Sequence, residues 1–93
     1  MLTEKQQEII DEIMDNFDFE RVHKTMIALN WGWADSDGGL SIPDLSDIKK
    51  SARCRLKTAM EENVSCASGG FFVEKEGDYI SLKFVVAEWD NYD

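Results

Sequence analysis

The apolar residues change their spacing once along this chain, and that change decides what it can fold into. Up to about Asn63 they recur every three or four residues. After Ser65-Cys-Ala-Ser-Gly-Gly70 they alternate with polar ones, from Phe71 to Lys75 and again from Tyr79 to Trp89. The first spacing lines one stripe of a helix and the second lines one face of a strand, so helices come first and a β-hairpin last. The expected fold is α+β: three helices packed on a C-terminal antiparallel hairpin, in a single domain over residues 1–93.

Three helical stretches can be bounded. Ile9, Ile10, Ile13, Met14 and Phe17 share a stripe, which predicts a helix from about Thr3 to Asn16. Asp18 is a good N-cap for a second helix, with Phe17 and Val22 at the positions of a hydrophobic staple. Its stripe is Phe19, Val22, His23, Met26 and Leu29, and Asn30 and Gly32 offer a stop. For the third, Ser41 and Asp44 stand as a capping box, and Pro43 suits a first turn. That helix should run to about Asn63, burying Leu45, Ile48, Ala52, Leu56, Ala59 and Met60, with Cys54 on the opposite side.

In the hairpin, Ile80, Leu82, Phe84 and Val86 fall on one side, and Tyr79, Ser81, Lys83 and Val85 on the other. Two strands alone are marginal in water. A third is expected from Trp31-Gly-Trp33, or from a partner chain that completes the sheet, which makes a homodimer one of the readings.

Charge narrows the partners. Ten basic residues face 19 acidic ones, a formal net charge of −9. Neutralising phosphates needs an excess of Lys and Arg, so direct binding to nucleic acid is not expected. The imbalance is local: Leu2–Glu20 carries seven acids and only Lys5, whereas Lys49–Lys57 carries five basic residues and no acid. With 43% hydrophobic residues the chain is too apolar to remain disordered. Two cysteines, Cys54 and Cys66, make neither a disulfide framework nor a metal motif. The N-terminus has no basic leader, and no apolar run is long enough to span a bilayer, so the cytoplasm is the expected location.

Few residues point to chemistry. His23, the only histidine, lies on the apolar stripe of the second helix with no nucleophile placed beside it, and reads as half-buried and structural. Asp35-Ser-Asp-Gly-Gly39 lacks the third early ligand and the position-12 glutamate of a calcium loop, and reads as a turn. No carboxylate pair, phosphate loop or metal set stands out, so catalysis is not expected, nor any cofactor. Two features remain. Trp31 and Trp33 flank a glycine and could be sheet packing or a stacking platform. Lys50 and Arg53, with Lys57, lie along one face of the third helix. They could pair with the acids of the first helix or, with the backbone of Ser68, Gly69 and Gly70, hold a phosphorylated, nucleotide-like ligand.

The sequences Phe17-Asp-Phe-Glu-Arg-Val-His-Lys24, Ala28-Leu-Asn-Trp-Gly-Trp33, Ile42-Pro-Asp-Leu45, Ala52-Arg-Cys-Arg-Leu56, Ser68-Gly-Gly-Phe71, Ser81-Leu-Lys-Phe-Val85 and Glu88-Trp89 occur in that order. Over about Phe17 to Trp89 the chain resembles a set of small bacteriophage and prophage proteins without an assigned activity. The resemblance implies a host-cell cytoplasm and an accessory or counter-defence role, and it transfers no catalytic residue. Small proteins of this kind act by binding. The first expectation is a host or phage protein captured through the acidic surface, in one form as a mimic of nucleic acid. The alternative is an oligomer that sequesters a nucleotide-like ligand among Trp31, Trp33, Lys50, Arg53 and Ser68-Gly69-Gly70.

Overall fold

The computed structural model describes residues 1–34 and 38–85. Three helices, α1 (Glu4–Asn16), α2 (Phe19–Ala28) and α3 (Leu45–Glu62), are followed by an antiparallel sheet. That sheet is β3 (Cys66–Ser68), β4 (Phe71–Glu76) and β5 (Tyr79–Phe84), in the order β3-β4-β5. A separate ladder of two short strands, β1 (Trp33–Ala34) and β2 (Leu40–Ser41), lies between α2 and α3. The α+β class and the order of helices before hairpin are as expected.

Each helix starts where its side chains can satisfy the first free N–H groups. Thr3 and Gln6 form a reciprocal capping box at α1, with Thr3 N–H donating to Gln6 Oε1 at 2.9 Å and Gln6 N–H to Thr3 Oγ1 at 3.1 Å. Asp18 caps α2 by accepting from Arg21 N–H at 3.0 Å. At α3 the cap is Asp44, which accepts from Asp47 N–H at 2.9 Å. The capping box expected at Ser41 does not form: Ser41 is in β2, and the preference of Ile42 for extended backbone before Pro43 delays the helix to Leu45.

Asparagine ends two of the helices. Asn30 and Asn63 both adopt left-handed backbone, with φ of 50° and 54°. After α2, Asn30 N–H donates to Ile27 O and Trp31 N–H to Met26 O, the paired bonds of a Schellman motif. This turn sets the direction in which Trp31 and Trp33 leave the helix.

The third strand differs from expectation. It is Cys66–Ser68, in the segment expected to be a loop, and not Trp31–Trp33, of which, among the described residues, Trp33 alone pairs, in the separate β1–β2 ladder. Its register, Ser68 opposite Phe71, leaves Gly69 and Gly70 as a two-residue turn with φ of +61° and +89°, the geometry glycine allows at both positions of a type I′ turn. A third strand within the chain removes the need for a partner to complete a bare hairpin. The last strand ends at Phe84, short of the expected Trp89. Val86 and Trp89 lie outside the described residues, as do Asp35, Ser36 and Asp37.

α3 is the central element, packing on α1 and α2 and across β3 and β4. Ile48, Ala52, Leu56, Ala59 and Met60 are buried beneath Phe71, Val73, Leu82 and Phe84 of the sheet, with Phe19, Val22 and Met26 of α2 and Ile10 of α1 completing the core. Among the described residues no helix is long and apolar enough to cross a membrane.

Candidate functional site

The expected ligand residues divide into two groups. Trp31, Trp33, Gly69 and Gly70 come together at one corner of the sheet. Trp33 Nε1–H donates to Gly69 O at 3.2 Å, and Trp31 stands edge-on to Phe84 with ring centroids 5.7 Å apart. A methyl group at Gly70 would lie 2.7 Å from the Phe84 ring and 2.8 Å from that of Trp31, so both rings close directly over the turn. Both indoles are half-buried and packed against the core. The one indole N–H with a bond across this corner is already spent on a backbone carbonyl, and Ser68 is exposed at the end of β3. The corner is built as packing.

Lys50 and Arg53 belong to a different place. Arg53 Nη1 donates to Asp11 Oδ1 of α1 at 2.8 Å, and the guanidinium bonded to it holds the Asp11 carboxyl below the usual carboxylate range. Gln7 Nε2, at 3.5 Å, assists the same oxygen. Lys49 borders a polar recess shared with Asp15, Asp18 and Glu20. The basic stretch of α3 therefore lies against the acidic helices, and Arg53 pairs with one of their acids. Lys50 is exposed and has no ion pair within 4.0 Å among the described residues.

His23 is half-buried on α2, as expected. Cys54 is exposed; Cys66 is half-buried, and burial raises its thiol above the usual range, which reduces thiolate at neutral pH. Among the described residues no group of three or more His, Cys, Asp or Glu is placed to hold a metal ion.

The residue spacing gave no warning of an apolar concavity. A groove of about 590 Å³ runs between α1 and the start of β5, floored by Ile9, Ile13, Phe17 and Ile80 and rimmed by Glu12, Asn16 and Asp78. Phe17 is shared with a second depression of about 240 Å³ that also touches Asp18, Arg21, Val22 and Phe84. Together they follow β5 from Tyr79 to Phe84. Of the α1 stripe only Ile10 is fully buried, so Ile9, Ile13 and Met14, expected in the core, stay partly open. The available signal was topological: the last strand of a terminal hairpin is an edge unless something covers it.

Compared with known proteins, the chain matches no family model, no curated protein and no solved structure.

Proposed function

We propose that this is a binding protein that docks the acidic surface of α1 and the start of α2 on a basic patch of another protein, with no chemistry of its own. The accessory or counter-defence role implied by the resemblance to phage proteins fits such an activity. The observation that carries the reading is the state of the N-terminal acids. Glu4, Glu8, Asp11, Glu12, Asp15, Asp18 and Glu20 are all exposed, and although Arg53 pairs with Asp11 and Lys49 borders the recess of Asp15, Asp18 and Glu20, acids outnumber the cations on this surface. Acids spread over one exposed surface give a field that steers a basic partner and suppresses acidic ones.

The ligand-sequestering alternative has the meeting of Trp31 and Trp33 with Gly69 and Gly70 in its favour. Against it stand the pairing of Arg53 with Asp11 and the use of the Trp33 N–H by Gly69. Mimicry of nucleic acid uses the same acidic surface and differs only in what the partner normally holds.

The test is retention of proteins from a host extract by the tagged wild-type protein and by a Glu8→Lys/Glu12→Lys/Asp15→Lys variant. A partner retained by wild type, lost by the variant and released by salt supports the reading, and its displacement by DNA or RNA would add mimicry. A partner held equally by both proteins would overturn it, as would stabilisation of the wild type by a nucleotide that Arg53→Ala abolishes.

A further inference from the structure

The sheet has one edge whose hydrogen-bonding groups face the apolar groove. Gly77 and Asp78 form a two-residue loop, so Glu76 and Tyr79 close it as a hydrogen-bonded pair. Alternation then makes Lys75–Ile80 and Val73–Leu82 non-hydrogen-bonded pairs, whose backbone groups point away from each other. At Val73 those groups meet Cys66 of β3. At Ile80 and Leu82 they point off the edge of β5 that no strand covers among the described residues, on the side where the groove between α1 and β5 lies.

The groove beside that edge is the shape of a missing strand. It borders β5 at Tyr79–Ser81, with the adjoining depression reaching Phe84, its floor is aliphatic and aromatic, and Tyr79 at its mouth is 54% exposed. Its charge is polarised. Glu12 and Asp78 stand at the Tyr79 end, with Glu8 one turn along α1 from Glu12. The Phe84 end is mixed, with Arg21 beside Asp18 and Lys83 exposed on β5. The Lys75 amino group is engaged by Asn63 Oδ1 and Gly77 O, and Lys5, which lines the adjoining recess with Asp78, is outnumbered by Glu8, Glu12 and Asp78.

We infer that β5 accepts an extended segment of a partner protein as a fourth strand, with alternating apolar residues in the groove and basic residues at the Glu12 and Asp78 end. Backbone pairing to Ile80 and Leu82 supplies affinity, the floor selects apolar side chains at every second position, and the acids select Lys or Arg between them. This site rests on the acidic-surface reading above and gives it a location and a partner chemistry.

The experiment measures fluorescence anisotropy of labelled synthetic peptides: one alternating Val with Lys in one half and Val with Ser in the other, and a counterpart with Glu for Lys. Amide shifts and light scattering are recorded on the same samples. Expected are binding of the Lys peptide only and shifts centred on residues 79–84. Ile80→Pro removes an edge-facing N–H that the internal ladder does not use, a change edge strands tolerate. It should weaken binding by about tenfold or more. Glu12→Lys, on an exposed position that cannot disturb the core, should do the same if the proline variant does not fold.

Equal binding of the two peptides, shifts elsewhere, or a folded Ile80→Pro variant that binds like wild type would overturn the proposal. So would a wild-type dimer that Ile80→Pro converts to monomer, because a second copy would then occupy the edge. If the natural partner is lost by the triple α1 variant but kept by Ile80→Pro, the edge proposal falls and the acidic-surface reading stands. If neither change matters, both fall.

Discussion

The corner around Gly70 and the groove beside Tyr79 lie towards opposite ends of β5, and they use apolar side chains in opposite ways. At the corner, two indoles and Phe84 close over a glycine turn, and the indole N–H of Trp33 has its acceptor. In the groove, Ile9, Ile13 and Ile80 are only partly covered, and among the described residues no strand pairs with the β5 backbone at Ile80. Large aromatics drew attention as a ligand site because exposed indoles are unusual. Here they are the finished part of the structure, and the unremarked isoleucines are the unfinished part.

The largest effect that would break this contrast is at Gly70. Gly70→Ala places a methyl 2.7 Å from Phe84 at a φ of +89°, combining left-handed strain with overlap against two packed rings. The expected loss is about 3 kcal/mol, a fall in Tm of roughly 10–20 °C for a domain of this size. Gly77→Ala is the control, since its φ is +58° but nothing lies within 4 Å of the added methyl. Strain alone should cost about 1 kcal/mol there. Equal losses at the two positions in thermal unfolding would mean that the rings do not close over Gly70 in solution.

How much of this could be read in advance follows from the range of the forces. Local signals held: the Asp18 cap, the α3 stripe with Cys54 opposite, and the end of α3 at Asn63 depend on residues within one or two turns. β3 was missed because Cys66-Ala-Ser68 is three small residues with no alternation to read. Ser68-Gly-Gly-Phe71 nevertheless carried the mark of a hairpin turn, and reading the stretch around Cys66 as a loop concealed the strand before it. Whether Arg53 meets Asp11, 42 positions away, is set by how α1 lies on α3, and no spacing in the sequence encodes that angle. The groove is a gap between elements, which periodicity describes least of all.

A smaller effect separates the corner from the groove in terms of stability. Trp33→Phe keeps a ring but leaves Gly69 O without its donor, and should cost about 1 kcal/mol. Tyr79→Ser, at the mouth of the groove and 54% exposed, should cost under about 0.5 kcal/mol. Denaturant unfolding of the two variants should therefore rank the corner above the groove. The reverse ranking would make the groove part of the fold's own packing and would remove the case for a docking site.

The smallest effect concerns the ion pair that separates the basic face of α3 from any anion. Arg53 holds the Asp11 carboxyl below the usual carboxylate range, so the folded protein binds that proton more weakly than the unfolded chain does. The stability this gives is present above the unfolded pKa and is lost as pH falls through the folded one. Both groups are about half exposed, with side-chain exposures of 41% for Arg53 and 51% for Asp11, so solvent screens the pair and salt weakens it further. Carbon-detected NMR titration of the Asp11 carboxyl is the sensitive measurement. In Arg53→Gln its midpoint should rise towards the ordinary range, and high salt should move the wild-type midpoint the same way. An Asp11 midpoint unmoved by Arg53→Gln would mean that the pair does not form in solution. Arg53 would then be a free cation on α3 and the nucleotide-like ligand would regain its strongest anchor, although the indoles that would stack on it would still be held at the Gly70 corner.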